Sequence, residues 1–149
     1  GYDQIFAVGG TWMCKSDVIK AHDWAKITAQ SKEAVDTMLG LKLMHVGINT
    51  DNAGEAEQLA LLLCKLFNLE PRHGQKSEFA GNYFECMKSP FLGKNGHIAM
   101  RTPDLKAAME ELEENGFRME TAAYFEDGRI KNVYLEGEYG GFAIHIMQK

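Results

Sequence analysis

Hydrophobic and polar positions along this chain follow two spacings, and the order of these spacings predicts its elements. Apolar side chains at every second position predict a strand over 43–49, and apolar side chains three or four positions apart predict a helix over 53–67. Short alternating runs predict strands near 77–79 and 83–87, and the segment 90–95, with its proline and glycine, is predicted as a loop. The succession is a strand, a helix and then shorter strands.

The same succession starts again after the loop. Residues 96–102 are predicted as a strand, and residues 103–115 as a helix that ends at Gly116. The string His-Val-Gly-Ile-Asn-Thr at 45–50 aligns with His-Ile-Ala-Met-Arg-Thr at 97–102, and each string leads directly into a predicted helix. This repetition predicts two copies of one structural unit. Further strands are predicted at 120–124, 130–136 and 142–147.

The first forty residues follow a different pattern. An apolar strand is predicted at 4–8, a Gly-Gly-Thr-Trp turn follows it, and a helix is predicted from about 23 to 38, with Gly40 as its end. One strand and one helix cannot bury their own apolar faces, so we interpret residues 1–40 as part of something larger and residues 41–149 as a separate domain. The apolar side of this helix is predicted to comprise Trp24, Ile27, Ala34, Val35 and Met38.

Composition narrows the class of protein. The 149 residues are 45% hydrophobic and 25% charged, as in an average globular protein, and the net charge of −5 argues against nucleic acid or an anionic membrane as a partner. No apolar run approaches the roughly 20 residues that span a bilayer, and the beginning lacks the layout of a signal peptide. Cys14, Cys64 and Cys86 are odd in number and widely spaced, which favours a reducing, cytoplasmic location.

Residues 4–39 contain three distinctive strings: Ile-Phe-Ala-Val-Gly-Gly-Thr-Trp at 5–12, Asp-Trp-Ala-Lys-Ile-Thr at 23–28 and Lys-Glu-Ala-Val at 32–35. In this order and spacing they resemble the last strand and helix of class I aldolases that cleave 2-keto-3-deoxy-6-phosphogluconate and 4-hydroxy-2-oxoglutarate. This resemblance implies that Gly9, Gly10 and Thr11 hold the substrate phosphate in an intact aldolase, whereas a tight turn without a ligand is the alternative. The strand that carries the aldolase lysine has no counterpart here. The resemblance therefore implies the C-terminal part of a fused lyase, with no aldolase activity of its own.

Residues 41–149 contain Leu-Met-His-Val-Gly-Ile at 43–48, Gly-His-Ile-Ala-Met at 96–100 and a closing hairpin at 134–147. These segments resemble the vicinal-oxygen-chelate, or glyoxalase–bleomycin-resistance-like, proteins. This resemblance implies an α+β fold of two βαβββ repeats that form one cupped, mixed and mostly antiparallel sheet. Behind a remnant of an aldolase (β/α)8 barrel, this domain would carry the chemistry of the chain.

The resemblance also implies a metal site. It places four ligands on inner strand faces, and the apolar residues next to the candidates in each strand independently favour that orientation. Imidazole and carboxylate ligands suit a divalent Zn, Ni, Mn, Fe or Co ion. The alternative for each histidine is a hydrogen-bonded residue without a metal. The candidate ligands are His45, Glu85, His97 and His145.

One candidate departs from the family pattern. His145 stands where relatives usually carry glutamate, and a metal-bound imidazole is not free to move a proton. The resemblance therefore gives no support to glyoxalase I, extradiol dioxygenase or fosfomycin-resistance activity. Four further side chains are expected to face the cavity as substrate-binding residues, namely Asn49, Tyr83, Arg101 and Tyr134.

Three functions stay open at the level of sequence. The first is a metal-dependent enzyme or site that acts on or binds a keto acid or sugar acid, a substrate class taken from the aldolase resemblance. The second is a non-catalytic ligand-binding or dimerisation module that regulates the aldolase. The third is a metal-free protein of the antibiotic-binding type. A homodimer is expected, because glyoxalase relatives often pair halves between chains and the aldolase remnant needs cover.

Overall fold

The computed structural model describes residues 9–149, so the predicted strand at 4–8 lies outside the described residues. Helices α1 to α4 comprise Ser16–Lys20, Trp24–Leu39, Ala53–Phe67 and Leu105–Glu114. Strands β1 to β8 comprise Lys42–Asn49, Pro71–His73, Ser77–Ala80, Phe84–Met87, Gly96–Thr102, Met119–Tyr124, Ile130–Leu135 and Phe142–Gln148. Between residues 9 and 149, no helix combines the length and the apolar character that crossing a membrane requires.

The eight strands form one mixed sheet in the order β2-β3-β4-β1-β5-β8-β7-β6. The first half of the sheet is β1-α3-β2-β3-β4 and the second is β5-α4-β6-β7-β8, so the predicted βαβββ repeat is confirmed. The two halves meet within this chain, where β1 and β5 pair antiparallel at the centre of the sheet. Each central strand also pairs in parallel with the last strand of its own half.

The register relates the two halves residue by residue. Gly47 on β1 pairs with Glu85 on β4, and Ala99 on β5 pairs with His145 on β8. Gly47 and Ala99 each stand two residues after the histidine that opens the repeated string. Glu85 and His145 therefore occupy equivalent places in the two halves.

Each half buries one helix against one face of its sheet. Ala56 and Ala60 of α3 pack on Cys86 of β4, because small side chains let the helix approach the sheet closely. In the second half, Leu105 of α4 packs with Val133 and Ile146. Successive strand residues alternate between faces, so Glu85 and His145 point to the face opposite the helices.

Helix α2 has the limits that the sequence predicts. The Asp23 side chain accepts a hydrogen bond from the backbone N–H of Lys26, and the helix ends at Gly40 with φ of 52°, a left-handed conformation that glycine adopts without strain. Its predicted apolar face is only partly buried, since Trp24 and Met38 are 58% and 55% exposed. Helical spacing indicates an amphipathic face, but burial of that face requires a neighbouring element along its whole length.

Two short elements were not predicted. Strand β2 is exposed at all three positions and lies at the sheet edge, where β3 is its single neighbour among residues 9–149. Helix α1 has five residues, of which only Val18 is buried. Neither element is long enough, or buried enough, to produce a hydrophobic period that could be recognised in the sequence.

Candidate metal site

The four predicted ligands come together on the face of the sheet opposite α3 and α4. One ring nitrogen from each of His45, His97 and His145 lies within 4.8 Å of the other two. Nε2 of His45 is 3.0 Å from Nε2 of His97, and the Glu85 carboxylate lies 3.0 Å from the former and 3.4 Å from the latter. Side chains from β1, β4, β5 and β8 thus converge on one point.

Small residues beneath the rings make room for them. Gly47 on β1 pairs with His97 on β5. Ala99 on β5 pairs with His45 on one side and with His145 on the other, so it lies between these two histidines across the sheet. A β-carbon on Gly47 would lie 2.0 Å from the Cε1 atom of His97, so the imidazole occupies the space that any larger residue would fill. Ala99 is fully buried. The alternation of ligands with small residues lets three imidazoles stand close together.

Glu85 is held in its charged form. Burial opposes ionisation, but hydrogen bonds from His45, His97 and Ser77 outweigh that effect and hold the pKa of the Glu85 carboxyl well below its usual range. The hydroxyl of Ser77 donates to Oε1 of Glu85, while Oε2 faces the two histidines. Glu85 is therefore an anionic side chain beside the three histidines, and a buried serine fixes its orientation.

His145 is neutral at physiological pH. Burial, together with the charges of His97 and His45, lowers the pKa of His145 to about 3, and Glu85 only partly opposes the shift. A neutral imidazole keeps a nitrogen lone pair, which is what a metal ligand requires. In residues 9–149, neither Nδ1 nor Nε2 of His145 has a hydrogen-bond partner, although both are buried. Such atoms normally cost free energy unless something binds them.

These residues fit a divalent transition metal. Ligand atoms around a tetrahedral ion with bonds of about 2.0–2.1 Å lie roughly 3.3 Å apart. The separations of 3.0 and 3.4 Å between His45, His97 and Glu85 are close to that value. An ion would also give one buried nitrogen of His145 a partner. The histidine triad could therefore hold a metal ion, and the Glu85 carboxylate lies next to it.

The predicted substrate-binding residues fall into different surroundings. Tyr134 stacks on His145, with ring centroids 4.7 Å apart and planes 11° apart, and Phe91 contacts its ring edge at 6.2 Å. Burial raises the pKa of the Tyr134 hydroxyl, so it stays protonated at neutral pH. Tyr83 is 61% exposed, in the turn before β4. Of the two, Tyr134 is the aromatic side chain in contact with a candidate ligand.

Asn49 and Arg101 are not beside the histidines. The Asn49 amide donates to the carbonyls of Phe91 and Gly93, and its oxygen accepts from the Phe91 N–H, so this side chain holds the loop before β5. Arg101 is exposed at the end of β5, next to a separate cavity. Their roles in substrate binding remain predictions.

The Gly-Gly-Thr turn stands at the beginning of the described residues. Gly9 and Thr11 are exposed, and the Trp12 ring lies against Gly10. Helices α1 and α2 follow this turn. Its role in phosphate binding stays a prediction that depends on the rest of a barrel.

Two residues at the site were missed from the sequence. Ser77 was assigned only to a strand, and Gly47 only to a strand face, because a single sequence does not show which residues meet across a sheet. One sequence signal for this arrangement is the small size of residues 47 and 99. These residues occupy equivalent positions of the repeat, and each pairs across the sheet with two predicted ligands. Small residues at equivalent positions of a repeat could have indicated close approach of larger side chains.

Comparisons with known proteins show the fold. No protein family model matches the chain, and no curated protein sequence matches it. The crystal structure of hypothetical protein BH1468 from Bacillus halodurans C-125 is similar at 19% identity and a TM-score of 0.51, covering 73% of this chain and 94% of that one. Streptomyces coelicolor methylmalonyl-CoA epimerase (Q60A), in complex with 2-nitronate-propionyl-CoA, is similar at 14% identity and a TM-score of 0.50, covering 72% and 96%. These similarities concern the fold alone, and the eight-stranded mixed sheet is consistent with the glyoxalase-like fold that the sequence predicts.

Proposed function

We propose that residues 41–149 bind one divalent metal ion through His45, Glu85, His97 and His145, and act on or bind a small metabolite with neighbouring oxygen atoms. The observation that carries the proposal is the convergence of three imidazoles whose ligand nitrogens lie within 4.8 Å of one another. The unpartnered, buried nitrogens of His145 support it further. A purely structural cluster would normally satisfy such atoms with hydrogen bonds.

The chain's own residues define the chemistry of the site. When bound, a divalent metal supplies Lewis acidity, which polarises a carbonyl or stabilises an enediolate. The Ser77 hydroxyl donates a hydrogen bond to Oε1 of Glu85, and Tyr134 packs over the His145 ring. With His145 serving as a ligand, no free carboxylate stands at that position to transfer a proton. The proposed role of the site is therefore to bind and polarise a substrate, and it does not include glyoxalase I activity.

The substrate class follows from the aldolase resemblance of residues 4–39. The comparisons with known proteins give no support to that resemblance, so the fusion and the keto-acid or sugar-acid ligand belong to the proposal. A domain placed behind a keto-acid aldolase would most simply bind a related metabolite. The keto-acid or sugar-acid ligand is thus inferred from the association with an aldolase and not from the geometry of the site.

The proposal is tested by comparing small acids that offer two neighbouring oxygen atoms with one that does not. The full chain is loaded with Mn²⁺, and displacement of metal-bound water is followed by proton relaxation as pyruvate, D-gluconate or propionate is added. Pyruvate and gluconate offer two neighbouring oxygens and are expected to displace water, whereas propionate lacks the second oxygen outside its carboxylate. Equal behaviour of pyruvate and propionate would contradict the proposal. Tight binding of an aromatic antibiotic without metal would favour the metal-free alternative.

Self-association belongs to the same proposal. Apolar side chains of α3 are exposed, which is typical of a surface that contacts another protein. A second copy of the chain is the expected partner. Sedimentation at micromolar concentration should give the mass of a dimer, and a monomeric mass would contradict it. The exposed side chains are Leu61, Leu62, Leu66 and Phe67.

A further inference from the structure

A cavity lies at the end of the central strands, away from the histidine cluster. It has a volume of about 160 Å³ and is lined by Gly40, Lys42, Arg101, Thr102, Pro103 and Lys149. Lys42, at the beginning of β1, pairs with Arg101 near the end of β5, and the backbone of Lys149 bonds to Thr102. Three basic residues from separate parts of the chain therefore come to one cavity.

The side chains of these three residues form no ion pair with an acidic side chain in the part of the chain that the structure describes. No aspartate or glutamate side chain lines the cavity, and none of Lys42, Arg101 and Lys149 belongs to an ion pair within residues 9–149. Some basic residues elsewhere do have acidic partners, such as Lys88, whose ammonium nitrogen lies 2.7 Å from the Glu78 carboxylate. In a chain with 21 acidic and 16 basic residues, unpaired positive charge beside a cavity indicates a site for an external anion.

We propose that this cavity binds the phosphate or carboxylate group of a small molecule. The guanidinium of Arg101 presents paired donors that match such groups, and the two lysines add point charges. A volume of about 160 Å³ accommodates one anionic group and its immediate substituents, but not a nucleotide or a polymer. The overall charge of −5 disfavours an extended anionic partner such as nucleic acid.

The anion site is separate from the histidine cluster. Arg101 follows His97 by four residues on β5, which corresponds to roughly 13 Å along a strand. None of the four proposed metal ligands lines the cavity. Anion binding therefore does not depend on the metal or on the function proposed above.

Calorimetry with inorganic phosphate and with oxalate tests the inference on the metal-free full chain at low salt. Wild-type protein should bind one anion per chain, and binding should weaken as salt is raised. Arg101→Ala and Lys42→Ala should each weaken anion binding by about tenfold. Arg101→Lys keeps the positive charge but not the paired donors of the guanidinium, so its affinity should lie between those of wild type and Arg101→Ala. Both residues are exposed, so these variants should keep the native circular dichroism spectrum.

Two controls distinguish this site from general charge effects. Lys65→Ala removes one exposed positive charge from α3, far along the chain from the cavity, and should leave anion binding unchanged. His97→Ala should also leave it unchanged. The inference is overturned if wild-type protein shows no saturable binding, or if Lys65→Ala weakens binding as much as Arg101→Ala. Loss of binding in His97→Ala would place the anion at the histidines instead.

Discussion

Gly47 and His97 face each other across β1 and β5, and the imidazole of His97 occupies the space where Gly47 lacks a side chain. A β-carbon on Gly47 would lie 2.0 Å from Cε1 and 2.3 Å from Nδ1 of that ring. His97 is only 3% exposed, so its ring has little room to move away. The position of one predicted ligand therefore depends on the absence of a side chain on the neighbouring strand.

Gly47→Ala should lower both stability and metal affinity. The added methyl forces the His97 ring out of its place, and such overpacking costs about 1–3 kcal/mol in a filled interior. Chemical unfolding and zinc titration measure the two effects. In a His97→Ala background the same substitution should cost much less, because the ring is gone. Additive losses in this double-mutant cycle would contradict the proposed contact.

Ser77→Ala should weaken metal binding while the fold is kept. The Ser77 hydroxyl donates to Oε1 of Glu85, which orients the carboxylate so that Oε2 faces His45 and His97. Loss of such an outer contact typically reduces metal affinity by about 10–100-fold. Zinc titration measures the change, and Ser89→Ala, at an exposed serine after β4, is the matched control. Equal affinity in the two variants would show that Ser77 does not orient Glu85.

The sequence predicts the elements better than the contacts between them. Helix α3 begins at Ala53 and ends at Phe67 as predicted, since leucine spacing and the Asn52 cap are local signals. The convergence of His45 and His97 can be predicted from the sequence, because a repeated string places both on equivalent strands. The role of Ser77 cannot be predicted in this way, because its contact with Glu85 depends on how β3 and β4 pair. Asn49 likewise bonds to a loop whose path no local pattern specifies.

Glu78→Gln should reduce the loss of stability in acid. The hydrogen bond from Lys88 outweighs burial and, with His73, lowers the pKa of Glu78 below its ordinary value. A lowered folded-state pKa stabilises the fold above the ordinary glutamate pKa of about 4.3, and that contribution disappears as pH falls through the folded-state value. The variant should be less stable than wild type at pH 7, and the two should converge in acid.

Urea unfolding from pH 7 to pH 3 measures this convergence. Glu85 also has a lowered pKa, so both proteins lose stability in acid, and only the difference between them reports Glu78. Glu110→Gln, at a surface residue 3.8 Å from Lys106, should follow the wild-type curve. A constant gap between Glu78→Gln and wild type over the whole range would contradict the linkage.

Thiol labelling should distinguish the three cysteines. Cys14 is exposed, whereas Cys64 and Cys86 are buried, and burial raises the pKa of the Cys86 thiol to about 11. The thiolate is the reactive form, so Cys86 should be inert at pH 8. Ellman's reagent should label one thiol per native chain and all three after unfolding. A Cys14→Ser variant that still reacts quickly in its native state would show that the packing of α3 on β4 opens readily.

Zinc binding to the histidine cluster tests the central claim most directly. Chelator-treated protein is titrated calorimetrically with Zn²⁺ as wild type, as the His45→Ala, His97→Ala double variant and as the His22→Ala, His73→Ala double variant. The last removes two histidines outside the cluster and so controls for the number of imidazoles. One site per chain is predicted in wild type and in the control, with affinity reduced by about 100-fold or more when His45 and His97 are replaced. The same zinc binding in all three proteins would contradict the metal site.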